Sequence, residues 1–213
     1  MFLVAIAGPS GSGKTTIAHA LEEALADVYS TAVISLDRYY FDLGHLSDDV
    51  RQGQNFDTPA AIEYRLLLDH IDRLAQGDVV ALPRYNFATH LRSSQVDMLA
   101  APDVLVVEGL FALYWQELRD CAGLGIFVDA STDVCLQRRI ARDTHHRGRN
   151  EASVSRQFHR QVEPMRRKYI APTQAVADLT VSGTDALSVV IDAIRFQISA
   201  TWSSQPFVNP GPD

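Results

Sequence analysis

Hydrophobic and polar positions along this chain follow two patterns in turn. Met1-Phe2-Leu3-Val4-Ala5-Ile6-Ala7 is a short apolar run, and Thr31 to Leu36, Val104 to Val107 and Gly125 to Val128 are similar runs without strict alternation. Such runs fit strands covered on both faces, the condition of a parallel sheet. Between them, apolar residues recur at helical spacing. Ile17, Leu21, Leu25 and Val28 share a face, and Thr58-Pro59 is expected to cap a helix carrying Ile62, Leu66, Leu67, Ile71 and Leu74 until Gly77 stops it. Ser131 or Thr132 opens a further helix through Arg142, and Thr184 caps one with Leu187, Val190, Ile191, Ile194 and Ile198 on one side. The pattern predicts an α/β fold with a parallel sheet flanked by helices.

Two segments depart from this alternation. Strand-like pieces around Leu82-Pro83-Arg84-Tyr85 and after Leu91 predict a β-hairpin over about 78–97, standing out from the sheet. Asp143-Thr144-His145-His146-Arg147-Gly148-Arg149-Asn150 is polar, basic and broken by glycine, the composition of a mobile lid over 143–150. Both are expected at the carboxyl end of the strands, where ligands bind in open parallel sheets. The 213 residues suit one domain, 1–202, with a frayed Pro/Ser/Gly-rich tail at 203–213.

A formal net charge of −7 argues against a protein that coats nucleic acid, so a basic cluster here reads as a local device for phosphate. No stretch approaches the roughly eighteen apolar residues of a membrane span, and the N-terminal run is too short and lacks the basic flank of a signal peptide. A cytoplasmic protein is expected. Cys121 and Cys135 match no metal spacing or disulfide framework and read as small, partly buried thiols.

The chemistry begins at Gly8-Pro9-Ser10-Gly11-Ser12-Gly13-Lys14-Thr15, placed between a predicted strand and a predicted helix. This is the P-loop pattern. Its glycines let backbone wrap a phosphate chain, and the positive end of the helix faces the same anion. Gly8, Ser10, Gly11, Ser12, Gly13, Lys14, Thr15 and Thr16 are the candidate nucleotide contacts, with Lys14 on the β/γ-phosphates and Thr15 on magnesium.

Transfer of a phosphoryl group needs an acceptor pocket, a carboxylate near the acceptor hydroxyl and cations over the moving group. Asp37 follows the strand ending at Leu36 and is the candidate base, with a turn cap as the alternative reading. Glu108 ends another strand and is the candidate second holder of magnesium, or of its water, with structural capping as its alternative. Arg138, Arg139, Arg142, Arg147 and Arg149 crowd into twelve residues. Such a run is either a solvated basic face or a lid whose arginines meet phosphate. No Asn-Lys-x-Asp guanine-reading element occurs, and Asp120-Cys121-Ala122-Gly123 reads as a chance turn, so a GTPase switch is disfavoured.

Taken together, several elements resemble the uridine kinase (uridine–cytidine kinase) family of P-loop kinases. They are Gly8 to Thr15, Ser35-Leu36-Asp37-Arg38-Tyr39-Tyr40, Asn55-Phe56-Asp57-Thr58-Pro59, Pro83 to His90, Val107-Glu108-Gly109, Arg138 to Asp143 with Arg147-Gly148-Arg149, and Gln157-Phe158 with Val162-Glu163-Pro164-Met165. The resemblance spans Ala5 to about Asp178. It implies a P-loop NTPase-type sheet with ATP, or alternatively GTP, as donor, Mg2+, and uridine or cytidine as acceptor. It implies Asp37 as base toward the 5′-hydroxyl, Asp57 with Arg139 on the ribose hydroxyls, and Tyr85 and His90 on the pyrimidine edge. Phe56 and Phe87 become aromatic walls, with Tyr40 and Gln157 nearby. Arg142 and Arg147 join Lys14 in neutralising transition-state charge, Arg149 lies on the nucleotide, and a homotetramer is a family tendency. The chain departs from the family at Asn86, at Thr58 and at Val181-Ser182-Gly183. Kinases of pantothenate, ribulose phosphate or nicotinamide riboside are the related alternatives, and a non-catalytic nucleotide-binding regulator is the alternative of another class.

Overall fold

The computed structural model describes residues 1–203, with backbone alone at Gln52, His146, Arg147 and Ser203. Its centre is a five-stranded parallel sheet in the order β2-β5-β1-β6-β7, formed by β1 (Phe2–Ala7), β2 (Thr31–Ser35), β5 (Val104–Glu108), β6 (Leu124–Asp129) and β7 (Leu179–Ser182). A two-stranded antiparallel hairpin, β3 (Val80–Asn86) with β4 (Leu91–Leu99), stands apart from it. The helices are α1 (Lys14–Leu25), α2 (Asp48–Gln52), α3 (Tyr64–Ala75), α4 (Gln116–Cys121), α5 (Thr132–Arg147), α6 (Glu151–Gln157), α7 (Glu163–Met165) and α8 (Leu187–Ser203). Turns of π-helix, Phe158–Val162 and Arg166–Ile170, flank α7. No helix among the described residues is long and apolar enough to cross a membrane.

The unbroken apolar strands are explained by a core on each face. Leu3, Ala5 and Ala7 point to one side and pack with Leu67, Ile71 and Leu74 of α3 and with Val80 and Leu82 of the hairpin. Phe2, Val4 and Ile6 point to the other and pack with Ile17, Leu21 and Leu25 of α1 and Val190, Ile191, Ile194 and Ile198 of α8. Trp202 closes that second core by stacking on Phe2 and Tyr29.

Several local expectations are corrected. Val28 lies beyond the end of α1 and is exposed, so it is not part of that helix's buried face. Thr58-Pro59 opens only a 3-10 turn, Pro59–Ala61, without a Thr58 side-chain cap. Ile62 then turns extended to bridge Tyr40, and α3 starts afresh at Tyr64. Thr184 does not cap α8, because its amide and hydroxyl are engaged by Ser182 Oγ and the helix begins three residues later; Leu187 there is exposed. Cys121 is exposed and only Cys135 is buried. The lid segment is more ordered than a loop: α5 is capped by Ser131 Oγ and runs through residues 143–147, breaking only at Gly148, whose φ of 61° ends the helix in a left-handed cap. Of the expected tail, Ser203 ends α8 and residues 204–213 lie outside the described residues.

Gly183, the retained glycine of the Val181-Ser182-Gly183 departure, sits against the phosphate loop. A Cβ there would overlap the carbonyl oxygen of Ser12, a backbone atom that cannot rotate away. Gly183→Ala is therefore expected to cost about 1–3 kcal/mol, a fall of about 2–12 °C in Tm by thermal unfolding. Gly53→Ala is the control and should leave Tm unchanged, since its Cβ would meet nothing closer than 3.6 Å.

Candidate active site

The loop after β1 is shaped by close approach. Gly8, Gly11 and Gly13 have φ of 151°, 87° and 104°, and a Cβ on Gly8 or Gly11 would overlap the carbonyl oxygen of Val128 or Cys135. Arg138 fastens the loop from outside, donating from Nη1 to the carbonyls of Gly11 and Ser12 (3.3 and 3.2 Å) and from Nη2 to that of Gly183 (3.0 Å). Ser12 is fully buried, so Gly8 and Ser12 form the loop's underside. Ser10, Gly11, Gly13, Lys14, Thr15 and Thr16 line the cleft above it. The first amides of α1 open there without intrahelical acceptors. Lys14 is buried, and its Nζ donates to Pro9 O at 2.9 Å. Burial lowers its pKa, and the charges of Glu108 and Asp37 pull it back up.

Strand register brings those two carboxylates to the loop. Glu108 pairs with Ile6 on one side and Ser35 on the other, so β1, β5 and β2 end at one level. Asp37 lies two residues past Ser35 in a 3-10 turn, Leu36–Tyr39, and its amide donates to Ser35 Oγ. Both carboxylates line the cleft with Thr15.

The hairpin is fastened to the Asp37 turn by two arginines. Arg38 donates to Pro83 O (3.2 Å) and to Asp97 (2.8 Å) on the hairpin. Arg92 reaches back from the hairpin to Tyr40 O (2.9 Å) and Tyr39 O (3.2 Å) and pairs with Glu63. Beneath the turn, the buried Tyr39 hydroxyl shares a 2.9 Å hydrogen bond with His70 Nδ1.

This docking assembles an aromatic cage. Tyr40 lies 5.2–6.3 Å, centroid to centroid, from Phe56, Tyr85 and Phe87, and its hydroxyl donates to Phe56 O. His90 stacks on Phe56 at 4.3 Å and 12°, held by a backbone φ of 55° at the hairpin tip. Tyr85 Oη is buried without a hydrogen-bond partner among the described residues. Burial pushes that phenol up to about 12. An unpartnered buried hydroxyl costs ~1–3 kcal/mol unless a ligand meets it.

Between cage and loop lies a buried ion pair, Arg139 Nη1 to Asp57 Oδ1 at 3.9 Å. Burial raises the Asp57 pKa above its ordinary 3.8, and Arg139 opposes the rise. Arg139 also donates to Ser10 Oγ (3.2 Å) and Gln157 Oε1 (3.4 Å). Arg149 donates to the same Gln157 oxygen at 2.6 Å. One continuous cleft of about 1200 Å3 thus runs from the P-loop to the aromatic cage.

Comparisons with known proteins show the family and the fold. Residues 3–189 match the model of the phosphoribulokinase/uridine kinase family. The chain belongs to that family. The uridine kinase of Deinococcus deserti is 37% identical over 200 residues, covering 94% of this chain and 96% of that protein. The uridine kinase of Staphylococcus haemolyticus is 36% identical over 203 residues, covering 95% and 98%. Among solved structures, phosphoribulokinase from Rhodobacter spheroides shares the fold, with a TM-score of 0.59 at 15% identity over 85% of this chain and 69% of that one. The protein is a P-loop kinase.

In this kinase the cleft gathers Asp37, Lys14, Thr15, Thr16 and Glu108 with Tyr40, Phe56, Asp57, Tyr85, Phe87, His90, Arg139, Arg142, Arg149 and Gln157. The Arg147 side chain lies outside the described residues. Sequence reasoning passed over Gln54, which lines the cleft, and gave no role to Arg138 or to Asp143. Asp143 is fully buried among arginines, and its spacing of four from Arg139 on α5 was the available signal.

The Asn86 departure has a local role. Its Oδ1 accepts from the amides of Ala88 (2.9 Å) and Thr89 (3.3 Å), closing the turn that carries Phe87 and His90. Asn86→Asp keeps that acceptor and should leave amide exchange at residues 88 and 89 unchanged. Asn86→Ala removes it, and exchange there, followed by NMR, should quicken on the order of tenfold.

Proposed function

We propose that this kinase transfers the γ-phosphoryl group of ATP to the 5′-hydroxyl of uridine or cytidine, giving the monophosphate and ADP. The observation that carries this reading is the single cleft in which a phosphate loop, a carboxylate and an aromatic cage succeed one another. The cage suits a flat base. Tyr85 and His90 each donate or accept, as a pocket for either a 4-oxo or a 4-amino pyrimidine requires. Asp57, ionised and held by Arg139, accepts the two ribose hydroxyl hydrogens. Asp37 orients the 5′-hydroxyl and takes its proton as the new P–O bond forms and the bond to ADP breaks. Lys14 and Arg142, with Arg147 as expected from its place in the motif, meet the charge that develops on the phosphoryl oxygens.

The donors at the loop mouth fit Mg2+. Thr15 contributes a hydroxyl and Glu108 a carboxylate, all hard oxygen. No group of three or more His, Cys, Asp or Glu among the described residues is placed to hold a metal by itself. This suits an ion that takes its remaining ligands from phosphate and water. Held by Thr15 and Glu108, Mg2+ would supply positive charge against the phosphates.

An acceptor screen by coupled ADP release, with uridine, cytidine, their 2′-deoxy forms and purine nucleosides, tests the reading directly. Uridine and cytidine should be turned over and the deoxy forms rejected. Asp37→Asn should lower kcat by at least about a hundredfold, the scale of general-base catalysis, with little change in uridine KM; normal turnover would remove Asp37 from the base role.

The raised Asp57 pKa gives a pH test. The carboxylate is the form that accepts hydroxyl hydrogens, so uridine KM should rise as pH falls toward that pKa, which burial holds above 3.8. Asp57→Asn should show a high KM that is flat over the same range.

A further inference from the structure

Asp143 lies on α5 and is wholly buried. Three arginine side chains converge on it among the described residues. Arg142 Nε donates to Oδ1 at 2.9 Å, Arg149 Nη1 lies 3.6 Å from Oδ2, and Arg139 Nε lies 3.7 Å from Oδ2. Arg139 faces the aromatic-cage side through Asp57 and touches the phosphate loop at Ser10, while Arg142 and Arg149 line the cleft at the Arg-rich junction of α5 and α6.

The contact to Arg139 is incomplete. Its Nε is buried and makes no hydrogen bond among the described residues, although Asp143 is close enough to form an ion pair. A buried guanidinium N–H left without an acceptor is costly. One carboxylate is being shared among more cations than its oxygens satisfy at short range. Arg142 differs: with Nε placed on Asp143, the other edge of its guanidinium remains for an anion in the cleft, and its side chain is 40% exposed.

From this geometry we propose that Asp143 is a positioning residue that couples the two substrate sites, so that a bound triphosphate tightens the acceptor site. This rests on the two-substrate reading above. A polyphosphate in the cleft supplies negative charge to Arg142 and Arg149 and relieves their demand on Asp143. The carboxylate then closes on Arg139 Nε and completes the missing hydrogen bond. Closure fixes the Arg139 plane and brings its terminal nitrogens onto Asp57, now 3.9 Å away, which holds that carboxylate ionised and aimed at the ribose hydroxyls. The effect is reciprocal, as any coupling between two binding equilibria must be. No covalent step is involved.

The test is isothermal calorimetry of uridine binding to the full chain, with and without a saturating non-hydrolysable ATP analogue and Mg2+. In the wild type the analogue should tighten uridine binding by about fivefold or more, the usual lower scale of such coupling. In Asp143→Asn, which offers one uncharged acceptor in place of a carboxylate, the analogue should still bind at high concentration but change the uridine Kd by less than twofold. A purely structural Asp143 would lower Tm and the active fraction without removing the coupling.

Retention of the wild-type coupling by Asp143→Asn overturns the proposal, as does a wild type whose uridine Kd ignores the analogue; both leave the uridine reading standing. A wild type that binds the analogue but no uridine overturns both. If Asp143→Asn fails to fold, the decision passes to the paired variant Arg142→Gln with Arg149→Gln, which leaves Asp143 and Arg139 in place. Loss of coupling there at saturating analogue supports the proposal, and full coupling overturns it.

Discussion

A buried ammonium organises this molecule. Lys14 is only 7% exposed, and burial of an unpaired charge is costly enough to neutralise most lysines. Here the Pro9 carbonyl accepts from it, and the nearby charges of Glu108 and Asp37 favour its protonated form. Those partners lie at or just past the ends of three different strands, so the ammonium is satisfied only if β1, β5 and β2 lie side by side and end at one level. The sheet order meets that condition, with Glu108 in register with both Ile6 and Ser35. A site for phosphate transfer and a solution to a desolvation problem are therefore the same arrangement.

The aromatic half of the cleft, the candidate acceptor site, lies outside the sheet and needs separate fastening. The hairpin has no strand partner in the main sheet. Its position comes from directional contacts instead: Arg38 to Pro83 O and Asp97, Arg92 to the carbonyls of Tyr39 and Tyr40, and Glu63 beneath. The carbonyls that Arg92 holds belong to Tyr39, in the turn carrying Asp37, and to Tyr40, which follows it, so the cage is fastened directly to the segment of the candidate base. Arginine serves here because one planar group satisfies several acceptors in fixed directions. On the opposite wall, Arg138 does the same for the carbonyls of Gly11, Ser12 and Gly183.

The run of arginines on α5 consequently divides into different tasks that composition alone does not separate. Arg138 supports loop backbone, Arg139 faces Asp57, and Arg142 and Arg149 stand over the cleft, with Asp143 among them. A solvated basic face does not describe this. Most of residues 143–150 continue the helix, and the break falls at Gly148, where a left-handed conformation is least strained for glycine.

The sequence by itself determined the parts whose signals are local. The strand, glycine loop and helix of Gly8 to Thr15 were legible because glycine spacing and apolar period belong to the same short stretch. Asp37 and Glu108 were legible because each ends an apolar run. Misreadings arose where a distant partner outweighed a local preference. Pro59 suits a first helical turn, yet pairing of Ile62 with Tyr40 holds the chain extended before α3. Ser182 takes the hydrogen-bonding groups with which Thr184 was expected to cap a helix. Only the tertiary structure decided which arginine serves which wall, that Asn86 closes a turn, and that Asp143 is buried among arginines. Those choices depend on hydrogen bonds and charge pairs across long sequence separations, and direction and distance of that kind have no period for a sequence to display. The P-loop names its anion in eight residues, whereas the pocket beside it exists only once Tyr40, Phe56, Tyr85 and His90 have been brought together.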